Sequence, residues 1–151
     1  MTACRAFIRS FDALPAIVAF TAESFAQEGI DPALLPTVDF ALEELFTNMV
    51  KYSRTSTADV RIDVTGIADG VEVSLTDFDV EPFDVTQAPD ADTTLPIEAR
   101  RPGGLGIHLV RRMLDSIDYE YRKDCRQSRI TFRKTKGESP EPQGAADTGR
   151  M

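Results

Sequence analysis

The sequence predicts an α+β fold: a two-layer sandwich whose mostly antiparallel mixed sheet carries helices on one face. Two observations lead to this fold class. Apolar residues recur along the chain with a period near 3.6, typical of helices, or with a period of two, typical of strands. The predicted elements follow the order β-α-α-β-β-loop-α-β-β, in which strands joined by short turns pair antiparallel. With 151 residues, of which 42% are hydrophobic, the chain is long enough for one compact core.

The first half of the chain predicts one strand and two helices. The apolar run 6–8, continued by Phe11, predicts the opening strand. Asp12 is the expected N-cap of a helix that ends near Gly29. Asp31-Pro32 has the cap-then-proline form that begins a second helix. The apolar stripe of the first helix is Leu14, Ile17, Val18, Thr21 and Phe25, and that of the second is Val38, Ala41, Leu42, Leu45 and Met49.

The second half predicts a hairpin, a long loop, a third helix and two closing strands. Strict alternation over 60–65 and again over 71–75, with the turn Asp69-Gly70 between, predicts an antiparallel hairpin. The segment Asp79–Arg101 is rich in proline and acid and is too long for a simple connection. A glycine cluster opens the third helix, with Ile107, Val110 and Leu114 on its apolar face. The closing strands lie around Tyr119–Tyr121 and Ile130–Phe132.

Composition excludes several classes of protein. The 17 basic against 25 acidic residues give a net charge of −8, which disfavours direct binding to nucleic acid or to an anionic membrane. Cys4 and Cys125 lie far apart and are expected to be reduced thiols. Met1–Arg9 has neither the pattern of a leader peptide nor the length of a membrane span. We expect a soluble, cytoplasmic protein.

The chain divides into one functional domain and a tail. Residues 137–151 contain no aromatic or branched aliphatic side chain, so they cannot bury enough apolar surface to offset their ordering entropy. We therefore predict a domain over residues 1–136 and a disordered C-terminal tail over 137–151.

The first candidate site is a pair of polar residues on the second predicted helix. Glu44 and Asn48 are four residues apart, so they project from the same face, one turn apart. A carboxylate can take a proton from a hydroxyl, and an amide oxygen can coordinate Mg²⁺. Asn48 stands among apolar neighbours, where a buried amide must find partners. Taken alone, such a pair is several times more often a solvated glutamate and an ordinary helical asparagine than a functional site.

Two further candidates follow along the chain. Asp77 ends the second hairpin strand, where a carboxylate can accept the exocyclic amine of adenine or can simply form part of a turn. Arg100–Ile107 joins two arginines to a glycine-rich helix start, which suits phosphate because the backbone comes close and the helix presents free N–H groups. Many helices begin after glycine for structural reasons alone. The single histidine, His108, is interpreted as structural.

The order of these motifs resembles that of the GHKL (Bergerat-fold, histidine-kinase-like) ATPases and, within them, the anti-sigma-factor serine/threonine protein kinases. The matching segments are Leu42–Asn48, Pro82–Asp84 and Gly103–Arg111, with Asp115 and Tyr119 beyond them. The resemblance covers nearly the whole predicted domain.

The resemblance implies a role for each matching residue. Asn48 would bind Mg²⁺, Glu44 would be the catalytic base, and Asp77 would bind the adenine of ATP. The segment before Arg101 would be a lid over ATP. The remaining nucleotide-binding residues implied in this way are Arg101, Gly103, Gly104, Leu105, Gly106 and Ile107.

The resemblance also implies partners. It implies a kinase that phosphorylates a STAS-domain anti-anti-sigma protein, sequesters a sigma factor and regulates transcription without touching DNA, with a homodimer as a possible form. The acidic charge suits a partner with a basic surface. The alternative is a partner-binding module of the same fold with weak or no catalysis, a pseudokinase. Three departures from the family pattern bear on that alternative: Asp79 in place of glycine, Tyr52 in place of histidine, and no asparagine near Gln127-Ser128.

Overall fold

The elements occur in the order that the sequence predicts. The structure is a computed structural model that describes residues 2–52, 56–82 and 104–137. Its helices are α1 (Leu14–Glu28), α2 (Leu35–Tyr52) and α3 (Gly104–Met113), and short 3₁₀ turns, Phe11–Ala13 and Pro32–Leu34, precede α1 and α2. Its strands are β1 (Thr2–Phe7), β2 (Val60–Ile67), β3 (Gly70–Asp77), β4 (Ser116–Arg122) and β5 (Gln127–Thr135).

The five strands form one open sheet in the order β1-β2-β3-β5-β4. Every pairing among these described strands is antiparallel. The central strand β3 is held on both sides: Val73 lies opposite Val64 of β2 and opposite Phe132 of β5. The α+β class and the predicted hairpin are confirmed, while the parallel pair that would make the sheet mixed is not found among the described strands.

One face of the sheet and the inner faces of the helices form the core. Alternate residues of β2, β3 and β5 are fully buried, as the period of two predicts. The predicted stripe of α2 is buried along its whole length: Val38, Ala41, Leu42, Leu45 and Met49. This packing fixes α2 over the sheet, and its other side chains therefore have defined positions at the sheet edge.

The start of α1 differs from the prediction. Phe11 lies in a 3₁₀ turn rather than in the opening strand, and Asp12 does not cap α1. Ser10 caps the 3₁₀ turn, with its hydroxyl accepting the backbone N–H of Asp12, and the N-cap of α1 is Ala13, which makes no side-chain cap hydrogen bond. The buried face of α1 also differs from the predicted stripe. Val18, predicted in the core, is 48% exposed, and Phe20 is buried instead. The predicted end is confirmed by Gly29, whose φ of +67° is the left-handed conformation that glycine adopts easily.

The prediction for the start of the second helix is confirmed in part. Asp31 accepts the backbone N–H of Ala33, as an N-cap does, but it caps the 3₁₀ turn that leads into α2. Among the described helices none is both long and apolar enough to cross a membrane. The proposed tail, apart from Gly137, lies outside the described residues and stays a prediction, as do the arginines, Arg100 and Arg101, of the long loop.

Candidate functional site

Asn48 is the most unusual polar residue of α2. It is fully buried, and neither its amide oxygen nor its amide nitrogen has a hydrogen-bond partner within the described part of the chain. Leaving such a group unsatisfied costs about 1–3 kcal/mol, so a native protein seldom does so without a reason. Met49, the next residue, belongs to the core and fixes the helix in place. Asn48 therefore has the properties expected of a ligand-binding residue, since it is buried and its polar atoms have no described partner.

Glu44 lies one helical turn before Asn48 and is partly buried. Burial raises the pKa of its carboxyl group, and the negative charge of Glu43 raises it further, while Lys51 lowers it. A carboxylate with a raised pKa is a stronger proton acceptor than an ordinary glutamate. It remains a carboxylate that faces partly toward water, so the group is suited to general base chemistry.

Gly106, near the start of α3, makes room for that carboxylate. A Cβ atom added at Gly106 would overlap the carboxyl oxygen of Glu44. Ile107 is buried in the core next to it, and Val110 follows one turn later, so α3 is anchored at this position. The structure thus brings together two predicted site residues, Glu44 and Gly106, from distant parts of the sequence. Of the other predicted residues here, Arg101 and Gly103 lie outside the described range, and Gly104 and Leu105 are described only as the first residues of α3.

Asp77 ends β3, as predicted, but its carboxylate already has a strong partner. It is 1% exposed and forms an ion pair with the guanidinium of Arg9, which is itself 8% exposed. The second terminal nitrogen of Arg9 lies 3.5 Å from the other carboxylate oxygen. Sequence analysis did not single out Arg9, because it belongs to a loop after β1 and carries no motif spacing.

Arg9 also links Asp77 to α2. One guanidinium nitrogen is 3.5 Å from the carbonyl oxygen of Met49, and the other is 3.3 Å from the hydroxyl of Ser56. The Ser56 hydroxyl in turn donates to the carbonyl of Phe78 at 2.6 Å. Three segments, the end of β1, the end of α2 and the end of β3, are therefore joined by one buried polar network. Through Met49 this network adjoins Asn48.

Asp79 points away from this network. Its side chain is 69% exposed and pairs with Arg126, which also pairs with Glu81. Its φ of +58° is a left-handed conformation that suits glycine and that aspartate tolerates. The segment is fixed from the other side, because Tyr121 donates to the carbonyl of Val80 at 2.8 Å. The backbone therefore adopts a glycine-like shape at this position although the residue is aspartate.

The family is shown by comparison with known proteins. A family model described as the histidine kinase-like ATPase domain matches residues 9–134, most of the chain. The chain belongs to this family. Twelve chains of solved structures also match. One contains the RsbU and RsbW domains of Rv1364c from Mycobacterium tuberculosis, with a TM-score of 0.60 and 12% identity. The alignment covers 89% of this chain and 32% of that one, and the likeness shows a shared fold. A comparison with curated protein sequences returned no match.

A histidine kinase-like ATPase domain implies ATP binding, and the residues can be tested for their fit to ATP with Mg²⁺. The phosphate half fits. Asn48 offers a buried amide oxygen without a described partner, the kind of hard ligand that Mg²⁺ prefers. The first turn of α3 lies beside Glu44, and free N–H groups at a helix start suit phosphate. The part of the site assigned to the adenine base fits less well, because the Asp77 carboxylate is already bound by Arg9.

The remaining sequence-based assignments have simple outcomes. His108, interpreted as structural, lies on the exposed side of α3. Cys4 and Cys125 are both free and exposed, as expected for reduced thiols. No cluster of metal-binding side chains occurs within the described residues.

Proposed function

We propose that this histidine kinase-like ATPase domain is a serine/threonine protein kinase that acts as an anti-sigma regulatory factor. The observation that carries the proposal is the face of α2. It sets a partly buried carboxylate, Glu44, one turn from an amide, Asn48, whose polar atoms lack described partners, and Glu44 lies against the start of α3. This combination sets a proton acceptor near groups that could hold a metal ion and phosphates.

The chemistry assigned to the chain's own residues is proton transfer and positioning. The Glu44 carboxylate takes the proton of a serine or threonine hydroxyl, whose oxygen then forms a bond to the γ-phosphorus of ATP. The bond from that phosphorus to the bridging oxygen breaks, and ADP leaves. Asn48 would hold Mg²⁺, which would supply positive charge to neutralise the phosphates. The N–H groups at the start of α3 orient the phosphates, and such positioning supplies most of the catalysis in phosphoryl transfer.

The partners follow from the resemblance and from charge. We propose that the phosphorylated protein is a STAS-domain anti-anti-sigma factor and that a sigma factor is the second, alternative partner. The net charge of −8 supports a partner with a basic surface, because complementary charge accelerates association. The RsbW domain named for the solved structure supports the same assignment by its fold alone.

The experiment has a binding step and a transfer step. ATP with Mg²⁺ should raise the melting temperature, because a ligand of the native state stabilises it. Radiolabelled ATP and a STAS protein encoded beside this chain should then give a labelled serine or threonine, with a serine-to-alanine STAS variant as the control. Absence of any melting shift at millimolar ATP would exclude the ATP site. A shift without labelling would exclude the kinase but leave an ATP-binding domain.

One observation favours a second candidate, a partner-binding module with weak catalysis. The buried pair of Arg9 and Asp77 occupies the carboxylate assigned to adenine. Asp79, in contrast, gives this alternative less support than its sequence position suggests, because its side chain faces solvent. The two candidates differ in the transfer step: the binding module predicts partner binding that is independent of ATP and little or no labelling of the STAS protein.

A further inference from the structure

The contacts of Arg9 place a charged group on the carboxylate that is expected to bind the nucleotide base. Its two terminal nitrogens face both oxygens of Asp77, and the same nitrogens lie near the Met49 carbonyl and the Ser56 hydroxyl. All of these groups are buried or nearly so. A guanidinium that faces a carboxylate with two nitrogens is among the strongest polar contacts in proteins.

The hydrogen-bond donors and acceptors of this network are not fully paired. A carboxylate has about four acceptor positions, and Arg9 uses at least one on each oxygen of Asp77. The Nε–H group of Arg9 is buried and has no partner among the described residues. The network therefore holds one donor without a partner, on the same guanidinium that binds the Asp77 carboxylate. It favours a base with an acceptor atom there as much as a base with an amine.

We propose that Arg9 determines base specificity by competing with the exocyclic amine of adenine for the Asp77 carboxylate. The inference rests on the proposed function, because it assumes that a nucleotide binds at this site. While Arg9 is in place, the amine gains little from Asp77. A purine with a carbonyl in the same position gains a donor from Arg9. Discrimination between the two purines is therefore small in the parent protein and becomes large when Arg9 is removed.

The test compares ATP with inosine triphosphate, which has a carbonyl where ATP has the amine. Isothermal titration with Mg²⁺ would give both affinities for the parent chain and for Arg9→Met. We expect the ratio of ATP affinity to inosine triphosphate affinity to rise about tenfold or more in Arg9→Met. That is the scale of one hydrogen bond to a charged group. Arg9→Met combined with Asp77→Asn should lose most of that rise, because no carboxylate remains for the amine.

The controls separate this effect from loss of structure. Arg5→Met makes the same change earlier in the N-terminal segment, at an exposed residue of β1 that contacts aromatic rings instead of Asp77, and should leave the ratio unchanged. Circular dichroism and melting curves would show whether each variant is folded. Should Arg9→Met fail to fold, Arg9→Lys retains a charge beside Asp77 but loses the two-nitrogen contact, and a smaller rise in the same ratio is expected.

Three results would contradict the inference. An unchanged ratio with ATP binding intact would show that Arg9 does not compete for Asp77. An equal fall in both affinities would show that Arg9 holds Asp77 in position or contacts a part that the two nucleotides share. Absence of nucleotide binding in the parent and in every folded variant would remove the proposed function, and this inference with it. The first two results leave the ATP site in place, so the two failures are distinguishable.

Discussion

The two ends of strand β3 differ in how their polar groups are satisfied. At the first end, around Gly70, polar groups are matched: the Asp69 carbonyl accepts the N–H of Lys136 at 2.7 Å, and the Lys136 ammonium lies 3.7 Å from Asp31. At the other end, about 23 Å away at the usual rise of a strand, a buried ion pair adjoins an amide without described partners. Only the second end has polar atoms that a ligand would satisfy.

Cavity volume alone would have indicated the opposite end of β3, around Gly70. A concave region of about 360 Å³ lies at the Gly70 end and is lined by Glu28, Asp31, Lys136 and neighbouring backbone. Lys136 pairs with Asp31 there, and no buried side chain of the lining lacks a partner within the described residues. The chemistry assigned to the chain is at the Asp77 end. If the proposed function holds, substitutions at the two ends should therefore have separable effects on stability and on phosphoryl transfer.

The largest expected effect is on catalysis at the Asp77 end. Glu44→Gln should reduce phosphoryl transfer by roughly 10²–10⁴-fold, the usual contribution of a positioned base. Nucleotide affinity should change little, because the amide retains the shape of the side chain. Single-turnover rates at saturating ATP would measure the loss, with Glu43→Gln as the matched control on the exposed side of α2. Equal rates for Glu44→Gln and the parent would mean that another group accepts the proton.

The same variant tests the raised pKa of Glu44. Its carboxyl keeps the proton to a higher pH in the folded state than in the unfolded chain, mainly because burial disfavours the charge. As pH rises from the ordinary glutamate pKa to the raised one, the parent should lose stability that Glu44→Gln keeps. Urea denaturation should therefore show Glu44→Gln as the more stable form at neutral pH, with no difference below both pKa values. A constant difference across pH would contradict the shift.

The next effect is on stability at the Gly70 end. Gly70→Ala should destabilise the fold by about 1–3 kcal/mol, because its Cβ would overlap the backbone of Lys134 and Thr135 in the paired strand. Transfer per folded molecule should not change. Urea denaturation measures the loss, and Gly66→Ala in β2 is the control, because its Cβ would come no closer than 3.5 Å to any atom. Equal stability of the two variants would mean that the β3–β5 pairing adapts.

A smaller effect is expected at the other glycine, Gly106. In Gly106→Ala the new Cβ would displace the flexible carboxylate of Glu44, which costs stability. Alanine favours the helix over glycine by about 1 kcal/mol and offsets that cost, so the free energy of unfolding should be nearly unchanged. Displacing the base should still reduce transfer about 10-fold or more. Leu109→Ala, on the exposed side of the same helix, is the control for both measurements. A loss of stability without a loss of transfer rate would mean that Gly106, like Gly70, is needed for the packing of the fold and not for transfer.

Local pattern predicted the sheet, the hairpin and the stripe of α2, because burial imposes the period of each element. It also indicated Glu44 and Asn48 as candidate site residues, since polar residues are unusual in an apolar stretch of a helix. It did not predict Arg9, whose role depends on three segments that meet only in the fold. The start of α1 was misplaced because a 3₁₀ turn capped by Ser10 precedes the helix, and α1 itself begins after Ala13, which has no capping side chain that a sequence pattern could show.

The last prediction concerns Asp79, which lies close to the Asp77 end but belongs chemically to the surface. If its charge reached the phosphates of ATP, replacing it with glycine would tighten binding. The side chain instead faces water and pairs with Arg126. Because screened charges on the surface contribute little, Asp79→Gly should leave ATP affinity within about twofold of the parent.

Asp79→Asn is the matched control for that experiment. It removes the charge but keeps a residue that tolerates the left-handed φ of +58°, whereas glycine also changes the freedom of the backbone. Calorimetric titration of ATP into the parent and both variants should give three similar affinities. Tenfold tighter binding by both variants would mean that the charge acts on the nucleotide after all. Tighter binding by glycine alone would show that backbone freedom at this position, rather than charge, limits access to the site.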